Sequence, residues 1–146
     1  MAIRTSKAQW DGNLPQGRGS MSLGSGAWSG QYSFQSRFEE GAGTNPEELI
    51  AAAHAGCFSM AFANGLAKAG FEPKRVSTTA NVQLLKGDAG FSITQIELKT
   101  EADVPNIDEA RFQQLAEDAK KGCPISRALA ATPIKLEAKL VGRSGL

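Results

Sequence analysis

Thr44-Asn-Pro-Glu-Glu-Leu-Ile-Ala-Ala-Ala-His-Ala-Gly-Cys57-Phe-Ser-Met-Ala-Phe62 is the stretch that decides how this chain folds. It opens as a helix start, with Thr44 as N-cap, Pro46 early in the first turn and Glu47 three residues after the cap. Nothing breaks the helix before Gly70, the expected stop. Between Leu49 and Phe62 small or apolar residues occupy every face, so the helix must be buried all round. At about 1.5 Å per residue, some 24 residues make a rod of about 36 Å, longer than a small domain easily encloses. A second copy would supply the missing cover, and the Ala and Gly residues would let two such helices approach closely. The stretch therefore points to a homodimer built around paired central helices. Leu49 to Ala67 is uncharged and long enough to raise a membrane span. Ala and Gly dominate it, and His54, Ser59 and Asn64 interrupt it, so hydropathy argues for no membrane partner.

Outward from the helix, the N-terminal side reads as strands joined by glycine-rich turns: Ile3–Trp10, Arg18–Leu23 and Gln31–Phe38. In the third, a two-residue period puts Tyr32, Phe34 and Phe38 on one face and turns Arg37 to the other. On the C-terminal side, strands Arg75–Leu85 and Phe91–Ala102 flank the hairpin connection Lys86-Gly-Asp-Ala-Gly90. The apolar parity changes between Ile93 and Ile96, which suggests a bulge near Gln95. Asn106 or Asp108 caps a second helix with a Phe112, Leu115, Ala116, Ala119 stripe, ending at Gly122. A short helix begins at Cys123-Pro124, and Pro133–Val141 alternates as a last strand. The order βββ-α-ββ-αα-β predicts an α+β fold, with residues 1–146 forming a single domain.

Of the 146 residues 41% are apolar and 21% charged, as in an ordinary globular protein, and the formal net charge is +1. The charges are mixed, so no basic stripe suggests nucleic acid. Residues 1–7 lack a secretory signal, which makes a reducing cytoplasm the default and free thiols more natural than a structural bridge. With two cysteines and one histidine, the clustered spacing of a structural metal site is missing. Neither the local motifs of Cys-His proteases nor the nucleophile elbow of Ser-His hydrolases is present. What remains is redox chemistry or no chemistry.

Cys57 in an Ala-rich helix reads as a small buried hydrophobe or as a nucleophile that needs a cation or donor to stabilise its thiolate. Arg37 can do so, because guanidinium is always charged and its fork can hold a thiolate and a substrate oxygen together. Glu47 is either the capping-box glutamate or the group that orients Arg37. Ten residues of continuous helix separate Glu47 from Cys57 by about 15 Å, so a shared site needs an interrupted helix or a second subunit. Cys123 reads as a helix-cap residue or as a thiol favoured by the N-terminal end of the short helix. His54, one turn before Cys57, reads as a base or as a hydrogen-bonded core histidine.

Residues 44–60 together with Gly122-Cys-Pro-Ile-Ser126 resemble the OsmC/Ohr family of thiol peroxidases, and Ser36-Arg37-Phe38-Glu39 ahead of the Thr-Asn-Pro-Glu block favours its OsmC branch. The resemblance implies an intertwined homodimer with two long central helices wrapped by β-sheets and a site at each end of the interface. It makes Cys57 the peroxidatic cysteine, Cys123 the resolving cysteine, Arg37 the stabiliser of thiolate and peroxide, and Glu47 its carboxylate partner. Arg18, in Gly17-Arg18-Gly19, is a rival for the arginine role. The implied substrates are organic hydroperoxides, with hydrogen peroxide as a further class. The implied reductant is an external dithiol, lipoyl-type in part of the family, and no metal, flavin or haem is needed. The competing reading is a small-molecule-binding or stress-associated dimer without turnover.

Overall fold

Short polar strands punctuated by glycine form an antiparallel sheet of β1 (Ser6–Asp11), β2 (Arg18–Leu23) and β3 (Ser29–Tyr32), in that spatial order. The structure, a computed structural model, describes residues 1–142 and divides into two compact units, Met1–Leu49 and the chain from Ile50 onward. In the first unit a Cβ on Gly19 would come within 2.6 Å of both the Trp10 and Tyr32 rings, whose centroids lie 5.4 Å apart. Only glycine fits beneath that aromatic pair.

The third strand is shorter than the alternation predicts. Phe34–Phe38 is a helical turn, α1, because Ser33 and Ser36 form a capping box: Ser36 N–H donates to Ser33 Oγ at 3.1 Å and Ser33 N–H to Ser36 Oγ at 2.8 Å. Phe34 and Phe38, four residues apart, share a face after two strand periods but also after one helical turn. Their rings meet at 5.0 Å. Arg37 is consequently not turned from the aromatic side, and its guanidinium sits 5.2 Å from the Phe38 ring centroid. The element order is βββ-αα-ββ-αα-β, an α+β fold with one more helix than expected.

The long helix, α2, runs unbroken from Pro46 to Lys68. Its cap is Asn45 rather than Thr44: Asn45 Oδ1 accepts Glu48 N–H at 2.7 Å, while Thr44 is tied to β3 by a hydrogen bond from its N–H to Gln31 O. Gly70, at φ +94°, ends the helix as expected, with Phe71 N–H closing onto Leu66 O at 2.9 Å. In the single chain α2 is not buried all round. His54, Phe58, Phe62 and Leu66 are fully buried, whereas Ala52, Ala53, Gly56 and Asn64 are exposed and Met60 is 77% exposed. By length and composition alone α2 is apolar enough to cross a membrane.

In the second unit β4 (Arg75–Gly87) pairs antiparallel with β5 (Gly90–Asp103), and β6 (Ile134–Gly142) lies parallel to β5. The predicted bulge is present: Gln83 faces Gln95 and Leu84 faces Ile93, leaving Thr94 unpaired in register. The β5-to-β6 crossover carries α3 (Glu109–Gly122), capped by Asp108, and α4 (Pro124–Ala128), capped by Cys123. The buried stripe of α2 packs with Ile96, Leu98 and Ala102 of β5 and Phe112, Leu115 and Ala116 of α3. Phe62 is central, with ring centroids 5.6 Å from Phe58 and 5.3 Å from Phe112. Ser59 Oγ donates to Thr78 Oγ1 at 2.8 Å, which meets Thr100 Oγ1 at 3.0 Å. These bonds fix the rotation of α2 over the sheet, and so fix where Cys57 points. Phe62→Ala is expected to cost about 3–5 kcal/mol, measured by urea unfolding; a loss under about 1 kcal/mol would mean that Phe62 is not a core residue.

Candidate active site

Two free thiols come together in the second unit. Cys57, half-buried, comes from the middle of α2, and Cys123, fully buried, from the junction that ends α3 and caps α4. The junction forms because Cys123 N–H still bonds back to Ala119 O at 3.0 Å while its carbonyl already accepts Arg127 N–H at 3.0 Å. Pro124 follows at the position where a missing N–H costs least. The thiols are close enough to bias each other's ionisation, Cys57 favouring the Cys123 thiolate and Cys123 disfavouring that of Cys57.

Their electrostatics differ in the direction expected of a buried thiol in an apolar helix and a thiol at a helix N-terminal end. Burial pushes the Cys57 thiol above its ordinary value; the Ile125 backbone N–H opposes this, and Cys123 adds to the rise. For Cys123 burial acts the same way, but hydrogen bonds from the Ser126 hydroxyl and N–H, joined by Cys57 and the Ile125 N–H, outweigh it and bring the thiol below its ordinary value. Within one chain the more acidic thiol is Cys123.

The first unit brings together a second pair. Arg37 Nη2 donates to Glu47 Oε1 at 2.7 Å and Nε lies 3.2 Å from both carboxylate oxygens. Glu47 is buried and Arg37 about one-third exposed. Asn45 having taken the cap, Glu47 is released from the capping-box role and orients Arg37. Nη1 has no partner among the described residues, so one edge of the fork is open. A pocket of about 380 Å³ lies beside it, lined by Trp10, Leu14, Tyr32, Phe34 and Phe38. Arg18 opens β2 opposite Asp11, is exposed and takes part in no ion pair among the described residues.

Along unbroken α2 Glu47 and Cys57 remain ten residues, or about 15 Å, apart. The interrupted-helix alternative is thereby removed. Beside Cys57 a groove of about 840 Å³ follows Met60, Ala61 and Asn64 of α2 and Leu115 and Ala119 of α3. Among the described residues no three His, Cys, Asp or Glu side chains are grouped to hold a metal ion.

His54 is a core histidine with no exposed surface. Its Nε2 lies 2.7 Å from Ser126 Oγ, and Ser126 Oγ in turn accepts from Cys123 Sγ–H at 3.3 Å. Ser126 was visible in the sequence only as part of the Cys-Pro-Ile-Ser segment. Its pairing with a histidine 72 residues away left no local signal.

Residues 39–139 match the family model described as OsmC-like protein. The chain is 52% identical to peroxiredoxin OsmC of Escherichia coli (strain K12) over 86% of its length and 88% of that protein. It is 38% identical to the organic hydroperoxide resistance protein of Xanthomonas axonopodis pv. citri (strain 306) over 60% of its length and 61% of that protein. Its fold is similar to the crystal structure of the organic hydroperoxide resistance protein OhrB of Bacillus subtilis, with TM-score 0.71 at 24% identity, covering 93% of this chain and 97% of that one.

Burial holds the His54 pKa below its ordinary 6.5. The unfolded chain therefore takes up this proton first, and stability is lost as pH falls from about 6.5 toward the lower folded value. Because His54 is the single histidine, its NMR ring signal should titrate with a midpoint below 6.5. A midpoint at or above that value would contradict the burial described here.

Proposed function

From its membership of the OsmC-like protein family, to which the chain belongs, and from its pair of interacting thiols, we propose a thiol-dependent peroxidase that reduces organic hydroperoxides in oxidative or osmotic stress defence. The observation that carries this reading is the adjacency of two free cysteines, one facing a groove and one buried. Cys57 thiolate attacks the terminal peroxide oxygen, the O–O bond breaks, and the alcohol leaves with a proton. Cys57 remains as a sulfenic acid. Cys123 then attacks its sulfur, an S–S bond replaces the S–O bond, and water is released. An external dithiol, lipoyl-type in this reading, reduces the disulfide by exchange and becomes oxidised itself.

The proposed working form is a homodimer in which the two compact units belong to one OsmC-like domain over residues 1–146, working in a reducing cytoplasm. The exposed small-residue face of α2 supports close helix pairing. The site residues are Cys57, Cys123, Arg37 and Glu47, with Arg37 and Glu47 supplied to Cys57 by the second copy. Two facts favour that assignment over a site within one chain: α2 is unbroken between Glu47 and Cys57, and the Cys57 thiol is raised rather than lowered by its own chain. Arg37 is preferred to Arg18 because Glu47 holds its fork in place with one edge open. The raised Cys57 thiol is also what favours a binding dimer without turnover. Single-turnover consumption of a hydroperoxide separates the two.

Reduced protein mixed with an organic hydroperoxide should consume about one equivalent in a rapid single turnover, and Cys57→Ser should abolish it; consumption by that variant would remove Cys57 from the mechanism. Cys123→Ser should keep the single turnover and accumulate Cys57 sulfenic or overoxidised acid, and loss of the first turnover would exchange the roles. Arg37→Ala should lower the rate on the order of a hundredfold, with Arg18→Ala near the parent. Mixing and re-equilibrating the inactive Cys57→Ser and Arg37→Ala chains should restore roughly a quarter of parent activity, since half the dimers are mixed and one of their two sites is complete. No recovery in demonstrably mixed dimers would place Arg37 and Cys57 of the same chain in one site.

A further inference from the structure

His54 is a fully buried imidazole whose Nδ1 has no hydrogen-bond partner among the described residues. Its Nε2 lies 2.7 Å from Ser126 Oγ. A neutral imidazole carries one N–H, on either nitrogen. Placed on Nδ1, it would be a buried donor with nothing to receive it, whereas placed on Nε2 it donates to Ser126 Oγ and leaves only an unused lone pair. An unmet buried donor is the costlier arrangement, because it forfeits its hydration with no exchange. The proton therefore belongs on Nε2.

That choice sets the direction of the next bond. Cys123 Sγ–H donates to Ser126 Oγ at 3.3 Å while it is a thiol; with Ser126 Oγ also accepting from His54, the Ser126 proton is free to turn to that sulfur once it is a thiolate. The Ser126 backbone N–H already points there, also at 3.3 Å. With Cys123 as a thiolate, the chain of donors ends on its sulfur. Neither His54 nor Ser126 bonds to Cys57 among the described residues.

We propose that Ser126 is a catalytic residue of the disulfide-forming step and His54 its positioning residue: His54 Nε2–H donates to Ser126 Oγ, which aims the Ser126 O–H at Cys123 Sγ and stabilises the thiolate that attacks the Cys57 sulfenic acid. This rests on the thiol peroxidase reading and adds a device for its second half. When Cys123 is a thiol, its S–H donates to Ser126 Oγ; on losing the proton to water, the sulfur becomes the acceptor and the Ser126 O–H turns toward it. Cys123 Sγ then forms the S–S bond with Cys57 Sγ, the S–O bond breaks, and the oxygen leaves as hydroxide, which takes a proton from solvent. The net change is a sulfenic acid plus a thiol giving a disulfide plus water, with Cys123 oxidised and the sulfenic sulfur reduced. A buried thiol without such donors is slow to ionise, and the intermediate would stay open to a second peroxide and overoxidation.

The test follows both steps in the full-length reduced protein mixed with one equivalent of cumene hydroperoxide. Peroxide consumption reads the first step; thiol alkylation after rapid quenching, with dimedone capture of sulfenic acid, reads the second. Ser126→Ala should lower the ratio of the second rate to the first by roughly tenfold or more, as expected for losing a hydrogen bond to a charged group, with sulfenic acid accumulating. His54→Phe, which fills the volume but cannot donate, should lower the ratio similarly. His54→Gln, which keeps an N–H near the position of Nε2, should stay near the parent. The proposal is overturned if Ser126→Ala keeps the parent ratio, or if His54→Gln falls as far as His54→Phe. A parent protein that consumes no peroxide removes the peroxidase reading itself, and this proposal with it.

Discussion

A buried thiol is inert until something stabilises its anion, and the unbroken course of α2 decides where that something can come from. The helix carries Glu47 in its first turn and Cys57 ten residues later, with Gly70 as the first interruption. Its rotation is fixed by the His54, Phe58, Phe62, Leu66 stripe in the core and by the Ser59 hydroxyl on Thr78. Cys57 is thus presented at the groove between α2 and α3, in an apolar wall that raises its pKa. One helix supplies the position of Cys57, an uncovered face, and the ten-residue separation from the Glu47 that holds Arg37.

In the proposed cycle the two cysteines divide the chemistry by environment. Cys123 is surrounded by donors of its own chain, the Ser126 hydroxyl and N–H and the Ile125 N–H, which overcome its complete burial. Among the described residues Cys57 has one such donor, the Ile125 N–H. In the proposed dimer its activation comes instead from a full charge, the Arg37 fork that Glu47 holds with one edge open. A resolving thiol prepared within the chain and a peroxidatic thiol prepared by assembly would tie the first step, but not the second, to the oligomeric state.

Features written in local sequence were legible in advance. The cap at Cys123-Pro124, the stop at Gly70, the Lys86–Gly90 hairpin, the bulge beside Gln95 and the stripe of α3 all depend on residues within a turn or two of one another. The errors fell where two local patterns coincide. Phe34 and Phe38 satisfy both a strand period and a helix turn, and the Ser33–Ser36 box decided for the helix. Thr44 and Asn45 are both good caps, and the bond from Thr44 N–H to β3 decided between them. That one-residue shift matters to the site, since it frees Glu47 for Arg37. The Ser126 contact with His54 spans 72 residues and could be found only in three dimensions.

The central claim is that Cys57 gains its reactivity from the charge of Arg37. Its most direct test is a pH titration of thiolate ultraviolet absorbance on the dimer in a Cys123→Ser background, where Cys57 is the remaining cysteine, with and without Arg37→Ala. With Arg37 present the midpoint should lie well below the ordinary thiol value of about 8.5, and it should move above that value when Arg37 is removed. The same midpoint in both proteins would contradict it.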